Sequence, residues 1–128
     1  MVIDSSALLA VHLKQPGFEE CLEKIARAPI LMIGAPTLLE TTMVLLARLG
    51  EGGRSAVARS VRHLRIQVVP FTEEHSEVAA DAFVRYGKGR NPAALNFGDC
   101  MSYAVAAVSG LPLLYTGNDF TKTDIPAA

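Results

Sequence analysis

A chain of 128 residues, half of them hydrophobic, is long enough to bury one core and too apolar to be read as disordered. A formal charge of −1 excludes global attraction to nucleic acid or membrane, so a polyanionic partner would need a local basic patch or a bound metal. No apolar run approaches the roughly 20 residues of a membrane span, and Met1-Val2-Ile3-Asp4 lacks the charged and apolar regions of a secretory leader.

Met1 to Ile3 predicts a short buried strand that ends abruptly at Asp4. Ser5 or Ser6 then caps a helix running from Ala7 to about Lys14 and stopped by Pro16-Gly17. Asp4 thus falls at the carboxyl end of a strand, where open α/β sheets bind ligands, although capping the next helix would also explain it. Phe18 to Ala28 has Phe18, Cys21, Leu22 and Ile25 at helical spacing. Pro29 ends that helix, and Ile30 to Ile33 reads as a second buried strand. Pro36 or Thr37 starts a third, strongly apolar helix that lasts to Leu49. Its one acid, Glu40, sits among Leu39, Thr41, Thr42 and Met43, which is costly for a carboxylate unless it is paired or faces a pocket.

Gly50 to Gly53 predicts a flexible corner before a helix over Arg54 to Leu64 that carries Arg54, Arg59, Arg62 and His63. Ile66 to Val69 is a third short strand closed by Pro70. Thr72 caps a helix with Glu73 and Glu74 in its first turn, a stripe of Val78, Ala79, Ala82 and Phe83, and Gly87 at its end. Lys88-Gly89-Arg90-Asn91-Pro92 reads as a flexible basic loop, with Lys88 and Arg90 as candidate phosphate contacts. Gly98 breaks this polar stretch and Asp99 opens a helix reaching Val108; a first-turn acid there is favoured by the helix dipole alone. Gly110-Leu111-Pro112 leads into a last strand, Leu113 to Tyr115, followed by the polar cluster Thr116-Gly117-Asn118-Asp119. Cys21 and Cys100 fall inside helical patterns and read as reduced thiols of a cytoplasmic protein. Neither they nor His12, His63 and His75 show zinc-ligand spacing, and the histidines are assigned no chemistry.

Strands separated by crossover-length helical stretches predict an α/β fold, a parallel sheet of about four strands between helical layers, over residues 1–128 as one domain. Asp4, Glu40, Asp99 and the 116–119 cluster then share the edge formed by the strands' carboxyl ends. Carboxylates so gathered must take up protons or be neutralised by a cation, and a hard divalent ion is the usual solution. Such a site suits phosphodiester hydrolysis. Asn118 and Asp119 compete for the fourth position; a carboxylate gains more from a divalent cation, which favours Asp119.

The same stretches carry a family resemblance that covers nearly the whole chain. Met1-Val2-Ile3-Asp4-Ser5-Ser6-Ala7, the Glu40 helix, Gly98-Asp99-Cys100 and Thr116-Gly117-Asn118-Asp119-Phe120 resemble a PIN-domain ribonuclease of the VapC toxin type. The Tyr86 to Arg90 loop and the ending Asp119-Phe120-Thr121-Lys122-Thr123-Asp124-Ile125 are especially similar. The resemblance implies a PIN-like α/β/α sandwich and an endoribonuclease using Mg²⁺ or Mn²⁺ in the cytoplasm. It also implies a homodimer silenced by a VapB-like antitoxin that covers the acidic site. Asp4, Glu40 and Asp99 match the family's first three acids, and Ser6 and Thr116 match hydroxyl residues that orient the acids or the water. A signalling receiver domain is the alternative, but it would show an acidic pair after the first strand, where this chain has Ser5-Ser6. A dehalogenase-type phosphatase would want a second Asp where Ser6 stands.

Overall fold

The computed structural model describes residues 1–128. Strand β1 (Val2–Ile3) leads into helices α1 (Ser5–Leu13) and α2 (Phe18–Arg27). Then come β2 (Met32–Gly34), α3 (Ala35–Leu49), α4 (Glu51–His63) and β3 (Gln67–Val69). Helices α5 (Glu73–Tyr86) and α6 (Phe97–Ser109) and strand β4 (Leu113–Leu114) complete the order.

The four strands form one parallel sheet in the order β3-β2-β1-β4, with Val2 opposite both Met32 and Leu113. This places the first strand inside the sheet, and it differs from the 2-1-3-4-5 order of receiver-type folds. Strands two or three residues long suffice because each adjacent residue serves a different face. Val2 and Leu113 enter a core cluster with Leu95, Tyr103, Val105 and Phe120, under α5 and α6. Ile3, Ile33 and Leu114 enter the other, with Ala7, Leu8, Cys21 and Ile25 of α1 and α2. The result is the expected three-layer α/β/α sandwich. No helix is long and apolar enough to cross a membrane.

The structure corrects four sequence expectations. The supposed corner at Gly50–Gly53 is helical from Glu51 onward. Gly53 is there for close packing: a Cβ on it would lie 2.3 Å from the Leu45 carbonyl oxygen. Likewise α6 begins at Phe97 with Asn96 as N-cap, so Gly98 is inside the helix and Asp99 is its third residue. The cap of α1 is Asp4, whose side chain accepts from the Ser6 amide, rather than Ser5 or Ser6. The strand expected at Ile30 starts at Met32, and Ile30 is 44% exposed.

Candidate active site

Asp4 lies just past β1 and is almost fully buried. A buried carboxylate needs partners, and Ser6 supplies two: its amide donates to Asp4 Oδ2 at 3.0 Å and its hydroxyl at 2.6 Å. The Ser6 hydroxyl oxygen in turn accepts the Thr116 N–H at 3.1 Å. Ser6 therefore ties the ends of β1 and β4 together and fixes the rotamer of Asp4. Thr116 joins the site through its backbone, a role its side-chain type could not reveal.

Glu40 is half-buried in the second turn of α3, beyond the carboxyl end of β2. Its approach to α6 is set by Gly98, where a Cβ would sit 2.9 Å from Glu40 Oε1 and 3.0 Å from Oε2. A side chain at this position would force the flexible Glu40 carboxylate to swing away from the first turn of α6. Burial pushes the Glu40 carboxyl above its ordinary value and the charge of Asp4 adds to this, against a lowering contact with the Ser5 hydroxyl.

Asp99 is both a helix cap and the electrostatic centre of the group. Its Oδ2 accepts the Asn96 N–H at 2.9 Å, while Asn96 Oδ1 accepts the Asp99 N–H at 2.9 Å, a reciprocal capping box. The first-turn explanation available from sequence thus holds for Asp99. Burial pushes the Asp99 carboxyl up to about 6, and the negative charges of Asp4, Asp119 and Glu40 push in the same direction against the Asn96 hydrogen bond. Several negative charges converging on one carboxyl mark a place that favours a cation.

Asn118 and Asp119 are both exposed on the segment after β4. The Asn118 carbonyl oxygen accepts from the Thr121 amide and hydroxyl, whereas the charge of Asp119 is felt at Asp99. Lys88 and Arg90 are exposed and neither forms an ion pair, and Arg90 stacks over the Phe83 ring at 5.4 Å. Their loop is less loose than the sequence suggests. Lys88 N–H bonds to the Leu95 carbonyl, Leu95 N–H to that of Tyr86, and Arg90 and Asn91 amides to that of Gly87.

Sequence reasoning passed over Asn96, although an Asn three residues before an Asp is a capping-box signal. It also passed over Phe97, which is 81% exposed at the mouth of the site. An apolar hollow of about 440 Å³ between α3 and α6 is walled by Leu39, Met43, Phe97 and Met101, with Glu40 at its edge. His75 is buried, and its Nδ1 lies 3.2 Å from the Thr72 amide and 2.8 Å from the Thr72 hydroxyl, a capping duty and not a catalytic one.

No three His, Cys, Asp or Glu side chains close up tightly enough to cage a metal unaided. The donor set still fits Mg²⁺ or Mn²⁺ chemically: oxygen-only side chains, mutually repelling, on an edge open to water. Mg²⁺ is satisfied by one or two carboxylates with water and phosphate oxygens completing its shell. Asp4, Glu40, Asp99 and Asp119 are the residues that could hold it.

A PIN domain family model matches residues 1–126. Ribonuclease VapC36 of Mycobacterium tuberculosis is 43% identical over 126 residues, covering 98% of this chain and 91% of the relative. Among solved structures, the Mycobacterium tuberculosis toxin VapC20, described as cleaving the sarcin-ricin loop, superposes with a TM-score of 0.80 at 22% identity. That match covers 99% of this chain and 97% of the other. VapBC2 of Rickettsia felis, solved with a DNA fragment from its promoter, superposes with a TM-score of 0.75 at 12% identity, covering 98% and 94%. With a family match through residue 126 and 43% identity along nearly the full length of a curated relative, this chain belongs to the PIN-domain family, among the VapC ribonucleases.

Proposed function

We propose that this protein, acting as a single PIN-like unit over residues 1–128, is a metal-dependent endoribonuclease of the cytoplasm, the toxin of a type II toxin–antitoxin pair. The observation that carries this reading is the field at Asp99, whose carboxyl is raised to about 6 by burial and by Asp4, Asp119 and Glu40 together. A Mg²⁺ or Mn²⁺ ion held by these carboxylates would supply Lewis acidity, neutralising phosphate charge and making water a better nucleophile. Ser6 keeps Asp4 aimed, through the 2.6 Å bond from its hydroxyl. Glu40, with its raised proton affinity, is suited to accept a proton from the attacking water at a carboxylate oxygen. Lys88 and Arg90 would hold RNA phosphates by charge alone, without reading sequence.

The partners that follow are an RNA substrate, a VapB-like antitoxin covering the acidic edge, and a second copy of the chain. Solved neighbours of this fold include a VapBC complex, and the exposed apolar residues beside the site are of a kind that a protein partner covers. Incubation of purified protein with total RNA, followed by mapping of the ends, tests the central claim. Discrete cuts are expected with Mg²⁺, and none in excess EDTA or for Asp99→Asn. Undiminished cutting in EDTA would sink the metal mechanism. Neutralising Lys88 and Arg90 together should weaken binding to many RNAs alike and reduce the salt slope by roughly 1.4; an unchanged slope would leave the loop a mere connection.

A further inference from the structure

The C-terminal segment after Phe120 has no part in the chemistry described so far, yet its geometry is tightly specified. Asp124 bridges three parts of the fold. Its Oδ1 accepts the Tyr103 hydroxyl at 2.6 Å, and its Oδ2 accepts Arg85 Nη2 at 2.8 Å. The same Arg85 nitrogen donates to the Tyr86 hydroxyl at 2.6 Å, and the Tyr86 and Tyr103 rings meet with centroids 5.9 Å apart. Arg85 and Asp124 side chains are each 53% exposed, so their ion pair alone is worth little. The bond from Tyr103 is different, because Tyr103 is only 5% exposed and lies in the middle of α6. Burial, with the Asp124 carboxylate next, pushes that hydroxyl up to about 12, so it remains a donor throughout the working range.

Between this anchor and the buried Phe120 the chain is folded on itself. The Thr121 amide and hydroxyl bond to the Asn118 carbonyl, the Thr123 amide and hydroxyl to that of Phe120, and the Ile125 amide to Thr123 Oγ1. Phe120 is buried against Tyr115, with ring centroids 5.0 Å apart. Asp119 lies within this clamped unit, exposed and without a hydrogen bond to its own side chain, so its position is inherited from its neighbours. Tyr103 stands one turn after Asp99 on the same face of α6.

We propose that Asp124 is a positioning residue: by bonding Tyr103 and Arg85 it seats the 118–125 segment against α6 and sets the distance from Asp119 to Asp99. This rests on the reading of Asp99 and Asp119 as members of one metal-holding site. The tail beyond Asp124 is held independently, by bonds from Leu113 N–H to the Pro126 carbonyl and from Ala128 N–H to that of Leu113. Loss of the Asp124 carboxylate therefore slackens the Asp119 turn while leaving the chain end in place.

The test compares Asp124→Ala, Tyr103→Phe, Asp124→Asn, Asp119→Asn and the double variant Asp124→Ala/Asp119→Asn. Three quantities are measured: Mn²⁺ affinity by calorimetry, kcat and KM for an RNA substrate, and the urea midpoint. Since misplacement of about 1 Å can cost on the order of 100-fold in rate, Asp124→Ala and Tyr103→Phe should lower kcat by at least about 10-fold and weaken Mn²⁺ binding several-fold. KM should change little. Asp124→Asn, whose amide oxygen still accepts from Tyr103, should be intermediate. In the Asp119→Asn background, Asp124→Ala should cause no further loss of rate or Mn²⁺ affinity, because the residues act as one unit. Full additivity in that background, or losses that merely follow the urea midpoint, would overturn the proposal. So would an Asp119→Asn variant that cuts and binds like the parent while Asp99→Asn is dead, with the cleavage reading left intact. If instead the parent cuts no RNA, the cleavage reading fails, and the non-additive pattern in Mn²⁺ affinity still decides the role of Asp124.

Discussion

Asp99 does two jobs with one carboxylate, and they pull its behaviour apart in a measurable way. Its proton is held more tightly in the folded chain, at about 6, than at the ordinary value of 3.8. The folded state therefore takes up the proton first, and this group's stabilising contribution, present below about pH 4, is lost as pH rises through about 6. In EDTA-treated protein, Asp99→Asn should melt above the parent at pH 7 to 8, by no more than a few degrees because the carboxyl is only half-buried. The gap should close toward pH 4, and a gap independent of pH would count against ionisation of the half-buried Asp99 as its origin. RNA cleavage by the same variant should drop at least about 100-fold. Gly98→Ala probes the neighbouring contact. Alanine ordinarily favours a helix over glycine by up to about 1 kcal/mol. Here the new Cβ would meet Glu40 oxygens at 2.9 and 3.0 Å, and the flexible carboxylate must swing away. We expect an intact fold by circular dichroism with cleavage reduced about 10-fold or more; parental activity would show that Glu40 does not need its present place.

Helices α3 and α4 pack against each other across the Gly50 junction, and Gly53 of α4 lies against Leu45 of α3. A Cβ there would meet backbone, the Leu45 carbonyl oxygen at 2.3 Å, which cannot rotate aside. Gly53→Ala should therefore cost about 1–3 kcal/mol despite its better helix propensity, read as a lower urea midpoint at unchanged m-value. A stabilised variant would mean that the helix pair is free to separate. The element that carries the acid most exposed to its neighbours' charge, α6, was legible in the sequence from its apolar run. Its start was not, because the glycine that reads as a breaker is instead a contact residue against α3.

Across the whole molecule, large apolar side chains are left in water on one side: Phe97 is 81% exposed, and Leu39 and Met43 are each 60% exposed. They border Glu40 and Gly98, so whatever covers them also narrows access to the acidic edge. A two-fold pairing of copies is the commonest way to bury such a surface. Light scattering should give a dimer for the parent and a monomer for Leu39→Lys/Met43→Lys, with both folded. A parent that stays monomeric at high concentration would assign the surface to a different partner.

The sequence by itself determined the four parallel strands, the helices between them, and the placing of Asp4 just past a strand and of Glu40 and Asp99 in the opening turns of helices. Those features follow from hydrophobic period, breakers and caps, which are local. What only the tertiary structure decided were the contacts between residues remote in the chain. Ser6 meets Thr116 across 110 positions, Gly98 makes room for Glu40, and Tyr103 waits for Asp124. No periodicity encodes these, because each depends on how two elements approach after the sheet has formed. Glycines at 53 and 98 were misread for the same reason: a missing side chain looks like freedom in a sequence, and in a packed interface it is the space another residue occupies.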